Sequence, residues 1–164
     1  MADKSSFTPD EWQHILEGVM MASVAMTAAD PSGLVGLLKE SFAAGSTLVA
    51  GKTDAGSNAL IKAVVADFET ADGRSSARGG LKEKFVGSKP ADIKVKALES
   101  LRQVAALVDA KASADAPVFK GWLRKISQNV AEAAKEGGFL GIGGVRVSEA
   151  EKATLAEIGS ALGV

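Results

Sequence analysis

The chain is expected to be all-α, a single-domain helical bundle of about six to seven helices spanning residues 1–164. Three observations predict this. Apolar residues recur at helical spacing along most of the sequence. Helix starts are marked by capping boxes and by prolines at first helical positions. Nowhere does a stretch alternate apolar and polar residues as a half-buried strand would.

The first element opens at Thr8-Pro9-Asp10-Glu11, where the Thr8 hydroxyl can accept from the Glu11 amide and Glu11 can reach back. Residues 1–7 before it are expected to form a flexible N-terminal segment, with Phe7 and Trp12 at the staple positions. Trp12, Ile15, Leu16, Val19 and Met26 line one face of this helix, which ends before Pro31. Asp30 can cap a second helix carrying Leu34, Leu37 and Leu38 and stopping near Gly45. A third is predicted over Asn58 to Ala71, with Leu60, Ile61, Val64, Val65 and Phe68 inward. Asp72 to Gly80, DGRSSARGG, reads as a polar, glycine-rich connector. Ser88-Lys89-Pro90 opens a long helix with Leu98, Leu101, Val104, Ala105 and Val108 buried. Asp115-Ala116-Pro117 opens another, with Phe119, Trp122, Leu123, Ile126 and Val130 inward. A second capping box, Ser148 to Glu151, starts the last helix, which buries Leu155, Ile158 and Leu162.

A faint internal repeat relates residues 12–45 to residues 97–130. Ala29 aligns with Ala114, Asp30 with Asp115, Gly36 with Gly121 and Leu38 with Leu123. A duplication of this kind would set two helical hairpins about a pseudo-twofold axis, each with a glycine permitting close packing.

Composition removes several function classes. A net charge of −1 gives no reason to expect nucleic acid or an anionic membrane as partner. The sequence has no cysteine, so disulfides, thiolate nucleophiles and zinc–thiolate sites are excluded. The N-terminal residues show no secretory signal, and the cytoplasm is the expected compartment. The run Gly18 to Leu38 approaches membrane-spanning length, but Asp30-Pro31 interrupts it, so no membrane span is expected.

The motifs that resemble chemistry do not complete themselves. GSTLVAGKT, Gly45 to Thr53, ends as a Walker A loop does, yet the required glycine falls on Ser46 and no strand precedes it. GGFLGIGGVRV, Gly137 to Val147, puts Arg146 where a dinucleotide loop needs glycine. Its apolar residues make it a loop either tucked over the core or exposed to a partner, the glycines favouring the first. His14, the single histidine, has no second histidine or cysteine to build a metal site. It is expected at the surface, paired locally with Asp10. No G-x-S-x-G or catalytic triad is present, so no catalytic or cofactor-binding residue is assigned.

The C-terminal third, Val130 to Gly163, resembles the closing segment of a group of small bacterial all-helical proteins of unassigned function. More distantly, Ala29-Asp30, Ala71-Asp72-Gly73 and Val147 to Glu151 are similar to pieces of the tellurite-resistance TerB-like helical family. That resemblance implies a divalent-cation-binding stress-response protein, with Asp30 and Asp115, at the two matched helix starts, as metal ligands. The sequence departs from the pattern at Pro31, and at Arg74 and Arg78, cations placed after Asp72-Gly73. The residues themselves favour a different expectation. They suggest a non-enzymatic module that needs no cofactor and binds a protein partner or a second copy of itself, with Gly18, Ala25 and Ala28 offering small-residue faces.

Overall fold

The computed structural model describes residues 1–29, 48–135 and 147–164. Seven helices run through them: α1 (Pro9–Thr27), α2 (residues 48–53), α3 (Ala59–Glu69), α4 (Ala71–Phe85), α5 (Pro90–Lys111), α6 (Ala116–Lys135) and α7 (Glu149–Leu162). No strand occurs among the described residues. The predicted helix of Leu34, Leu37 and Leu38 lies outside them, as do Asp30, Gly36 and residues 137–146 of the apolar loop.

Helix α1 is the axis of the bundle. It packs against α5, α4 and α6, while α7 closes the other side against α5 and α6. The expected apolar stripes are the buried ones: Trp12, Ile15, Leu16, Val19 and Met26 on α1, and Leu101, Val104 and Val108 on α5. On α6 they are Phe119, Trp122, Leu123, Ile126 and Val130. The small residues of α1 are consumed inside this core. A Cβ at Gly18 would come within 2.9 Å of Val104, and Ala22 and Ala25 are fully buried. Ser127, also buried, donates from α6 to the Ala22 carbonyl at 2.8 Å. Gly18 and Ala25 are therefore not free for a second subunit. Gly121 departs from expectation too, since no described residue lies within 4 Å of its Cβ position and it permits no close packing among the described residues.

Both capping boxes form as the sequence indicates. Thr8 and Glu11 exchange side-chain-to-backbone bonds of 3.3 and 2.8 Å, and Ser148 and Glu151 do so at 3.2 and 2.7 Å. The Lys111 ammonium at 2.7 Å, with the Thr8 amide in support, holds the Glu11 carboxyl below the usual glutamate range. A folded-state value lowered in this way stabilises fully above the ordinary glutamate range. That contribution is lost as the pH falls through the lowered value. An NMR titration of the Glu11 carboxyl is expected to show this low midpoint, and Lys111→Gln should move it upward. An unmoved midpoint would remove Lys111 as the cause.

Residues 1–7, expected to be loose, are laid against the bundle. Lys4–Ser6 form a single 3-10 turn capped by Asp3, and Ala2 and Phe7 are buried. Asp67 of α3 gathers this end, accepting from Trp12 Nε1 at 2.6 Å and from Lys4 Nζ at 3.0 Å. The Phe7 and Trp12 rings meet at 5.9 Å between centroids.

The largest difference from the sequence reading is α4. The segment Asp72 to Gly80 is not a connector but about two and a half turns of a helix running from Ala71 to Phe85. Thr70 caps it, its hydroxyl accepting from the Gly73 amide at 3.0 Å. Gly73, Ala77 and Gly80, spaced to share one face, bury that face and bring the backbone close, while Leu81 and Phe85 pack, partly buried, against the core.

Candidate functional site

Asp115 sits where α6 begins, and its carboxylate is already engaged. It is 6% exposed and accepts from the Ala2 amide at 2.6 Å. Its backbone carbonyl accepts from Asn58 Nδ2 at 2.8 Å. Asp115 thus ties the N-terminal segment and the start of α3 to α6. Asp30, the other metal-ligand candidate, lies outside the described residues. Among the described residues, no group of three His, Asp or Glu side chains could hold a metal ion. Glu149 pairs with Lys152 at 2.6 Å, and Glu151 serves the cap of α7.

The other singled-out residues also have local partners. His14 is exposed, with Nδ1 2.7 Å from the backbone carbonyl of Asp10 rather than its carboxylate. Gly51, Lys52 and Thr53 belong to α2, a helix, while Gly45 and Ser46 lie outside the described residues. Lys52 reaches Glu69 at 2.7 Å. Gly51 packs on Trp122, whose buried Nε1 has no hydrogen-bond partner among the described residues.

One polar grouping was not foreseen. Glu17 faces inward from α1 and is 2% exposed. Lys84 of α4 donates to it at 2.6 Å, and Gln13 donates at 2.9 Å. Lys84 also lies 3.4 Å from the Ser100 hydroxyl of α5, so the cluster joins three helices. Gly80 gives it room, because a Cβ there would overlap the Glu17 carboxylate. With both charges matched, the cluster is a clasp that fixes the rotation of α4 on the bundle.

That rotation determines what α4 turns outward. Nine lysine and arginine side chains are ion-paired with carboxylates across the described surface. Among the described side chains, Lys62, Arg74, Arg78, Lys82, Lys89, Lys96 and Arg124 have no carboxylate within 4.0 Å. Five of these seven fall between residues 74 and 96, on α4, its turn and the start of α5. Arg74, Arg78 and Lys82 recur every four residues and share one exposed edge of α4. Asp72 and Glu83 lie about 100° away around the helix, with Ser75 and Gly79 between. Arg74 spends one nitrogen on the carbonyls of Phe68 and Glu69, whereas Arg78 and Lys82 have no side-chain partner among the described residues.

No family model, curated protein or solved structure matches this chain. The row on α4 is thus identified by its own geometry. The sequence did contain one signal for it: Thr70 followed by Asp72, a cap and a first-turn acid, with Lys82 and Lys84 in the last turn.

Proposed function

We propose that this chain is a non-enzymatic binding module whose docking surface is the cationic edge of α4, and that its partner is anionic. One observation carries the reading. Cations elsewhere are mostly neutralised by a neighbouring carboxylate, while Arg78 and Lys82 stand exposed, without a partner among the described residues, in line with Arg74. A like-charged row costs self-repulsion, and an anionic partner relieves it. The net charge of −1 conceals this asymmetry, because it sums paired and unpaired groups alike.

Retention on a sulfonate resin at neutral pH and low salt tests the proposal. A chain with a pI near 5.9 has no net reason to bind such a resin. Salt-sensitive retention is nevertheless expected, since clustered charge acts within about one Debye length, roughly 10 Å at 0.1 M salt. Arg78→Glu/Lys82→Glu should abolish it. Lys62→Glu/Lys152→Glu, with the same net charge, should leave it. Passage of the wild type straight through, or equal loss in both variants, would overturn the reading.

A further inference from the structure

Resting on that reading, we infer that the anionic partner is a lipid surface, met by the α4 edge and by the turn that follows it. At the C-terminal end of the cationic row stands Val86, 74% exposed, the most exposed of the internal large apolar residues described. It caps α4 immediately before Gly87, whose φ of +71° reverses the chain. Lys82 and Lys89 flank this apolar tip, and neither has a carboxylate partner among the described residues. Lys96 braces the turn from behind, donating to the Lys84 carbonyl at 2.9 Å and to Ser88 Oγ at 2.7 Å. From Arg74 to Val86 the edge measures about 18 Å at the rise of an α-helix.

The composition of this edge selects among anionic partners. A protein interface draws its energy from a desolvated core of aromatic and arginine anchors and is poor in lysine. The α4 edge has no exposed aromatic, and the small residues Ser75 and Gly79 border it. A bilayer surface requires no shape complementarity. It offers a plane of phosphates to Arg74, Arg78, Lys82 and Lys89, and acyl chains just below them to one protruding aliphatic side chain. Nucleic acid or another dissolved polyanion would use the same cations but would have nothing to do with Val86. The valine is therefore the discriminating residue.

Co-sedimentation of the full chain with vesicles tests this. Binding is expected to vesicles containing phosphatidylserine, not to phosphatidylcholine alone, and to weaken as salt rises. Lys82→Ala should lower the partition coefficient about fivefold, the effect of one cation at an anionic surface. Val86→Ser should lower it about tenfold through lost apolar burial, while leaving retention on the sulfonate resin unchanged. The unchanged retention also certifies that the variant is folded. If Val86→Ser binds vesicles as the wild type does, or if the resin retains the chain and the vesicles do not, the lipid inference is overturned and the binding reading stands. If neither surface retains the chain, both fail.

Discussion

Lys84→Met is expected to destabilise the bundle by about 3 kcal/mol, near the lower end of what breaking a buried ion pair costs. The reason lies with the partner left behind. Glu17 is 2% exposed in the middle of α1, and among the described residues Lys84 is its only cationic partner, at 2.6 Å. Without that ammonium the carboxylate keeps, among the described residues, the Gln13 amide at 2.9 Å. The lower end of the range applies because the Lys84 side chain is 30% exposed, so water can follow it in. The reciprocal change, Glu17→Met, should cost less, since an unpaired Lys84 can turn toward solvent. The double replacement should recover most of the loss, because two apolar side chains of similar volume satisfy each other where one charge cannot. Urea unfolding of the four proteins checks the cycle. Additive single effects would mean that the two groups do not interact as their geometry indicates.

Gly80→Ala is the second large effect, about 2 kcal/mol of destabilisation by overpacking. On propensity alone the substitution should help, by up to about 1 kcal/mol in a helix interior. The sign reverses here: the new methyl group would take the place of the buried Glu17 carboxylate and force it away from Lys84 and Gln13. Gly79 supplies the internal control, for no described residue lies within 4 Å of its Cβ position. Gly79→Ala should stabilise by about 0.5–1 kcal/mol through reduced freedom of the unfolded chain. Opposite signs at adjacent glycines of one helix would establish which face of α4 docks. Thermal unfolding of both variants reads the answer, and matching signs would contradict the docked orientation.

These two residues also explain what sequence reasoning could and could not reach. The stripes of α1, α5 and α6 were legible because large apolar residues at helical spacing leave one solution. The ends of α1, α5 and α7 were legible because Thr8, Pro90 and Ser148 carry local signals. Helix α4 was not, since its buried face is made of Gly73, Ala77 and Gly80, the residue types that also mark connectors. Missing the helix hid everything built on it. Arg74, Arg78 and Lys82 look scattered in a loop and form a row only at helical spacing. Glu17 gave no warning either, because its partner is 67 residues away in sequence. The start of α6 at Asp115 was read correctly, but the Ala2 amide that its carboxylate holds lies 113 residues away. Long-range pairing of this kind leaves no trace in local pattern.

The central claim is that α4 is clasped so as to present an unneutralised cationic edge to a partner. Chemical-shift mapping during titration with a short sulfated polyanion tests it most directly. The account predicts perturbations concentrated on residues 74 to 89, centred on Arg78 and Lys82, with the amides of α1 and α6 unmoved. Perturbations spread evenly over the surface, or gathered around Lys62 or Arg124 instead, would contradict it.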